Sequence, residues 1–297
     1  MPGFPIPSSL RCVWHLVRDS VEGFIDDDAL SRGASIAYYT LFSLAPILLL
    51  TIAIAGLAFG RDAARGAIVE QLSGLMGGKS AEALQAMIES ASDPKTGMTA
   101  SLVGILAAAI TLTGAFGEVQ SALNAIWKAK SRRSTLSRLM RARLASLGLV
   151  ATSGFLLTVS LVVSAALAAV SNYLKVVFPG AEFVLQVADV AISAALLTGL
   201  FAAIFKILPD TPIAWRDVAI GALVTAALFE GGKYGIALYI GTSNVASSYG
   251  AAAALIILLL WIFYSAQIFL LGAEFTRAFA RRYGTHAGRE VSSPIPS

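Results

Sequence analysis

Four stretches of the chain carry no Asp, Glu, Lys or Arg: residues 33–60, 96–117, 144–174 and 234–273. They are rich in Ala, Leu and Ile and show no alternation of apolar and polar positions. A hydrocarbon core takes about 20 apolar residues per helical crossing. Unpaired backbone groups are so costly there that only helices or closed barrels cross it. Apolar runs of this length without period-2 patterning predict membrane-spanning helices. Two further segments are long enough: 183–205 holds Asp189 alone among charged residues, and 218–240 holds Glu230 and Lys233. The last run must be divided, and GTSNVASSYG (241–250), polar and bounded by glycines, is the break. The pattern predicts an all-α integral membrane protein with six spans, at 34–59, 97–117, 144–174, 183–205, 218–240 and 251–272.

Two amphipathic regions flank these spans. Leu10, Val13, Trp14, Val17, Val21, Phe24 and Ile25 follow helical spacing, which predicts an N-terminal helix along the membrane interface. Residues 61–92 read as two short helices broken at Gly77-Gly78, with Ile68, Leu72, Leu75 and Met76 on one stripe and Leu84, Met87 and Ile88 on another.

Basic residues orient the spans, because cytoplasmic segments hold the excess of Lys and Arg. With both termini inside, sixteen of the 22 Lys and Arg fall on the cytoplasmic side and five outside, while Lys233 lies within a span. The expected organisation is a cytoplasmic interfacial helix (1–30) and a six-helix membrane domain (31–276), followed by a basic, disordered cytoplasmic tail (277–297). Within the membrane domain, 61–95 forms a helical extracytoplasmic cap and 128–143 a basic cytoplasmic linker.

At 57% hydrophobic and 13% charged residues, the composition excludes an ordinary soluble domain. The single Cys12 cannot form an internal disulfide, and His15 and His286 leave little for a His/Cys metal site. No metal or cofactor is expected. The N-terminal 20 residues lack a continuous apolar region, so no cleavable signal is expected. A net charge of +4 raises nucleic acid as a partner. The charge is accounted for by topology, however, and no nucleic-acid partner is expected.

Ionisable groups within a span are costly and point first to function. Glu230 and Lys233, at i and i+3, share a helix face and can neutralise one another, with Gly231 and Gly232 between them permitting close approach of a neighbour. They are read as a polar point on a substrate path or, more simply, as an ion pair that fixes packing. Glu118, Gln120, Asn124 and Gln267 extend this into a candidate polar seam. Glu118 and Glu274, at span ends, equally suit interfacial pairing with nearby Arg residues. The triplet Asp26, Asp27, Asp28 is better suited to capping the next helix than to holding a metal. The linker contributes Lys128, Lys130, Arg132, Arg133, Arg138, Arg141 and Arg143 without an anion or an aromatic. That pattern suits anionic lipid headgroups rather than RNA, which needs stacking platforms. The chain has no GxGxxG, P-loop, nucleophile elbow, HExxH or CxxC arrangement. No enzymatic activity is expected.

Five segments, in order, resemble the YihY/BrkB family of bacterial inner-membrane proteins: SRGASIAYYTLFSLAPILLL (31–50), TGAFGEVQSALNAIW (113–127), FKILPDTPIAWRDVAIGA (205–222), FEGGKYGIALYI (229–240) and WIFYSAQIFLLGAE (261–274). The resemblance implies a six-helix domain of the bacterial cytoplasmic membrane, with links to virulence, serum resistance and transport or lipid translocation. It also brings a ribonuclease label regarded as a misassignment, in keeping with the lack of a catalytic constellation. Together these readings favour a transporter or flippase-like protein for a lipid or small solute, without an ATPase of its own. Its expected partners are membrane lipids, with a homo-oligomer or other envelope proteins also in view. The alternative is a structural scaffold that contributes to envelope integrity.

Overall fold

The structure is a computed structural model that describes residues 8–76, 85, 114–129, 182–242 and 253–284. Among these residues there are seven helices and no strand: α1 (Ser8–Asp26), α2 (Ala29–Phe59), α3 (Arg61–Met76), α4 (114–126), α5 (Glu182–Ile207), α6 (Trp215–Thr242) and α7 (Ala253–Arg282). The expected amphipathic helix and four of the expected spans thus appear as helices, with ends shifted by at most five residues except at the last, which runs ten residues past 272 to Arg282, so that residues 277–282 of the expected disordered tail are helical. The expected span at 144–174, most of that at 97–117, the second cap helix, the linker beyond Ala129 and the tail beyond Gly284 lie outside the described residues. Two of the described helices, α5 through Val190–Ile207 and α7 through Leu255–Arg282, are long and apolar enough to cross a membrane by length and composition alone.

Local chemistry sets the corners. Gly60 closes α2 with φ 85°, a left-handed conformation that glycine adopts without steric cost, and its N–H donates to the Gly56 carbonyl before α3 begins. At the α1–α2 corner Asp28 is also left-handed, with φ 52°, and stands at the N-cap of α2 without a side-chain capping hydrogen bond. The expectation that the Asp triplet caps α2 is therefore corrected. Asp28 supplies the corner's backbone geometry, which Asp tolerates better than most residues, and the Asp27 carboxylate turns to other partners.

α5, α6 and α7 pack around aromatic rings. Phe205 lies 5.2 Å from Phe269, Phe201 lies 5.8 Å from Phe229, and Phe229 meets Trp261 edge-on at 5.9 Å. Leu123 and Ile126 of α4 are fully buried in the same cluster. α6 and α7 approach through reciprocal small-residue contacts. A Cβ on Gly221 would lie 1.9 Å from Thr276 Oγ1, and one on Gly272 would lie 2.1 Å from Thr225 Oγ1. Each threonine hydroxyl donates back to the glycine carbonyl four residues earlier on its own helix, at 2.7 Å. Close backbone approach with satisfied hydroxyls is how helices associate where lipid removes the hydrophobic driving force.

The turn from α5 to α6 is tied to α4. Asn124 Nδ2 donates to Asp210 Oδ2 at 2.9 Å, and the Asp210 N–H donates to Asn124 Oδ1 at 2.8 Å. Lys206 donates to the Ile213 carbonyl and lies 5.5 Å from the centre of the Trp215 ring. α1 lies against the last turns of α7, with Cys12 Sγ 2.5 Å from Tyr283 Oη and Arg282 3.3 Å from Asp19. A 30-residue helix such as α7 is roughly 45 Å long at 1.5 Å per residue. That exceeds a hydrocarbon core of about 30 Å, so its charged last turns extend past any apolar layer and form the wall to which α1 is fastened.

Candidate functional site

Among the described residues, Asp27 is the centre of a buried, heavily charged region. Its side chain is 5% exposed and is held from two other parts of the chain. Lys128, just after α4, pairs with Oδ1, and Arg277 of α7 lies 3.4 Å from Oδ2. Arg32 of α2 donates from Nε to the Asp27 carbonyl at 2.8 Å. Lys128 is itself left-handed, with φ 48°, so the two non-glycine residues with positive φ among those described, Asp28 and Lys128, both stand at this junction. Backbone strain of this kind persists only where surrounding contacts over-determine it.

Glu274 completes the junction from α7. Its side chain is 2% exposed, Oε2 lies 3.8 Å from Arg277 Nη1, and Oε1 has no hydrogen-bond partner among the described residues. Gly23 of α1 makes room for it, since a Cβ there would lie 2.5 Å from Oε2. Seven residues earlier, and so on the same face of α7, Gln267 repeats the arrangement. A Cβ on Gly33 would lie 2.2 Å from its Nε2, which donates to the Leu30 carbonyl at 3.4 Å, while its buried Oε1 has no partner among the described residues.

A cleft of about 640 Å³ opens over the junction, and nine of its eleven lining residues are ionisable. α1 contributes Asp19, Glu22 and Asp26, and α7 contributes Arg277, Arg281 and Arg282, with Asp27, Lys128 and Glu274 at the base. The exposed apolar residues Val13, Trp14, Val17, Val21 and Ile25 form a stripe on the opposite side of α1. One helix therefore presents charge to the cleft and a greasy face away from it. Among the described residues no three His, Cys, Asp or Glu side chains are grouped to hold a metal ion.

The residues of the expected seam fall in separate places. Glu230 and Lys233 form an ion pair at 2.5 Å on α6, with side chains 34% and 22% exposed, and Lys233 Nζ lies 5.8 Å from the centre of the Tyr234 ring. Gly232 beside them receives Ile268 and Tyr264, whereas nothing lies within 4 Å of a Cβ on Gly231. Asn124 is engaged with Asp210, and Gln267 faces α2. Glu118 and Gln120 are half-buried on α4. Of the cations expected to touch lipid, Lys128 pairs with Asp27 while its side chain stays 55% exposed, and the other six lie outside the described residues. Asp27 and Arg277, absent from the expected seam, are the residues that tie α1, α2, α4 and α7 together. The signal for them was faint: the i, i+3 pair Glu274/Arg277 just past an apolar run, and an acid at a helix corner.

A family model described as virulence factor BrkB matches residues 20–294. The chain is 32% identical over 255 residues to a UPF0761 membrane protein of Pseudoalteromonas translucida, covering 85% of this chain and 81% of that protein. It is also 32% identical over 251 residues to a UPF0761 membrane protein of Ralstonia nicotianae, covering 83% of this chain but 55% of that longer protein. A third UPF0761 membrane protein, from Alteromonas mediterranea, is 34% identical over 200 residues, 64% of each chain. The chain spans about half to four fifths of the length of these relatives. No solved structure matches it.

Proposed function

The chain belongs to the virulence factor BrkB family of membrane proteins, and from that premise we propose that it is a transporter or flippase-like protein for a lipid or small solute. Six spans carry it through the bacterial cytoplasmic membrane, with both termini on the cytoplasmic side. It lacks an ATP-binding motif among its residues, so active transport draws on an ion gradient or on a partner ATPase.

The cleft over Asp27 and Glu274 is the observation that carries this reading. A purely structural bundle gains little from gathering Asp27 and Glu274 with Arg277 and Lys128, because apolar replacements of similar volume are usually as stable or more so. A path for a polar cargo needs such groups. The position of the cleft supports the orientation too. Asp27, Lys128 and Arg277 come from three of the four segments that the basic-residue count assigns to the cytoplasm, and they meet at one end of the bundle. On this reading the cleft is the cytoplasmic vestibule.

The test is reconstitution of the purified chain in liposomes, scoring scrambling of fluorescent phospholipids and flux of ions and small solutes. Activity that disappears in a folded Asp27→Asn/Glu274→Gln variant supports transport through the cleft. Silence of the folded wild type in every assay, with intact envelope phenotypes, would transfer the weight to a scaffold role.

A further inference from the structure

Glu274 and Asp27 meet carboxyl to carboxyl, sharing a side-chain hydrogen bond across the contact between α7 and the α1–α2 corner. Ionised carboxylates only accept, so a bond between two of them exists only where one carries a proton. The surroundings show which. Lys128 pairs with Asp27 Oδ1, and Arg277 Nη1 reaches Asp27 Oδ2 at 3.4 Å but lies 3.8 Å from Glu274 Oε2, beyond hydrogen-bond range. In number the two cations balance the two acids, but in position both attend to Asp27. Glu274 is 2% exposed, its Oε1 has no partner among the described residues, and its Oε2 is seated over Gly23. A buried carboxylate without donors is costly, whereas the neutral acid fits the same seat. Glu274 therefore holds the proton, and Asp27 accepts the hydrogen bond.

The remaining charges around Glu274 leave this assignment in place. α1 brings Asp26 to the cleft, with Glu22 paired to Arg18 and Asp19 held by Arg282 at 3.3 Å. Arg32 of α2 donates to the Asp27 carbonyl. α7 adds Arg281 two turns on, and α6 meets α7 on another face, through Gly272 and Thr276. His15 of α1 is exposed and outside the cleft lining. Glu274 itself stands just past the end of the expected span at 272, beside the charged last turns of α7. There burial first, and the Asp27 charge next, push its carboxyl up to about 8, against the opposing pull of Arg277 and Lys128.

We propose that the Glu274–Asp27 pair is the proton site through which transport is coupled to the proton gradient: the shared proton fastens α1 to α7, and its release into the cleft frees the two to separate. This inference rests on the transport reading and names its energy source. On release, the Glu274 carboxyl becomes a carboxylate and one proton passes to water in the cleft; rebinding reverses the step. Two ionised carboxylates then face each other beside one buried guanidinium, and like charges in such contact repel. The seat over Gly23 suits the neutral acid and no longer suits its occupant, so the α1–α7 contact loosens. Protonation thereby sets the position of one wall of the cleft.

Two measurements on the full purified chain test the site and the coupling. Infrared spectroscopy follows the C=O band of protonated carboxyl groups as pH is raised. The band is expected to persist in the wild type well above the ordinary carboxylate range, to fade near pH 8, and to be missing from Glu274→Gln, which keeps the shape of the neutral acid. Because the folded chain binds this proton more tightly than the unfolded one, the unfolding midpoint of the wild type should fall as pH rises from about 4.5 to about 8, a fall that is shallower in Glu274→Gln. In liposomes, with a fluorescent phospholipid as the probe, an imposed difference of one pH unit should change its steady distribution between leaflets by up to about tenfold, the free energy of one proton. Glu274→Gln should not respond. Absence of the high-pH band from the wild type overturns the proposal and needs no variant to fold. A band together with transport that ignores the pH difference sinks the coupling and leaves the transport reading standing. A band without any transport sinks the transport reading and the coupling with it, while the proton site stands.

Discussion

Thr276 on α7 fills the notch that Gly221 leaves on α6, so closely that a Cβ at position 221 would lie 1.9 Å from its hydroxyl oxygen. The mirror-image contact of Thr225 with Gly272 makes the pair reciprocal, and the two helices cannot slide or separate without losing both. This seam holds α7 at the register that brings Glu274 and Arg277 to Asp27. Packing of α6 on α7 beside Arg277 thereby fixes the site.

Gly221→Ala is therefore expected to destabilise the protein by about 1–3 kcal/mol, the range for overpacking a close contact. Thr276→Ala, which removes the obstructing hydroxyl and methyl, should recover most of that loss in the double variant. Thermal unfolding in detergent for the four members of the cycle measures the coupling. Additive losses would show that the two residues are not in contact.

The two partners of Asp27 should differ sharply in importance. Arg277 is 13% exposed and also faces Glu274, so Arg277→Ala leaves the buried Asp27 carboxylate without its buried counter-ion. A loss of about 3–5 kcal/mol is expected for breaking a buried pair in this way. Lys128 keeps more than half of its side chain in solvent, and Lys128→Ala is expected to cost under about 1 kcal/mol. Chemical denaturation of the two variants side by side checks the order, and equal losses would contradict it.

Asn124 tests the other link at this end of the bundle. Asn124→Ala removes both hydrogen bonds to Asp210 and should cost about 1–3 kcal/mol. Asn124→Asp keeps the shape and the acceptor for the Asp210 N–H, yet it sets a carboxylate against Asp210 Oδ2. It is expected to be at least as damaging as the alanine at neutral pH, measured by the unfolding midpoint. An aspartate that behaved like wild type would mean that the Asp210 side chain is not held by Asn124.

The helices were legible in the sequence because the signal for them is local. Long apolar runs made α2, α5, α6 and α7 visible, within five residues of their ends except where α7 continues ten residues past its run to Arg282, and helical spacing revealed α1. The Glu230–Lys233 pair was legible for the same reason, being one turn apart. The junction was not. Asp27 and Arg277 are 250 residues apart in sequence, and Asn124 and Asp210 are 86 apart, so no periodicity relates them. Asn124 looked like a seam residue because polar groups near apolar runs attract functional readings, but its partner is a turn. Glu274 looked interfacial because it ends an apolar run. What buries it is Gly23 on a helix that patterning had assigned to the lipid interface.

Glu230 and Lys233 offer the cleanest separation of fold from function. They satisfy one another at 2.5 Å, remain partly exposed, and lie on α6 away from the Asp27 junction. Replacing both with leucine removes the charges together and strands neither, so stability should change by less than about 1 kcal/mol. If the cargo passes from the vestibule along α6, the same double variant abolishes scrambling or flux in liposomes while its unfolding midpoint holds, and that is the expected outcome. Retained transport would confine the pair to a packing role. It would also narrow the polar route to the face of α7 that meets α1 and α2, where Gln267 and Glu274 each hold an oxygen without a hydrogen-bond partner among the described residues.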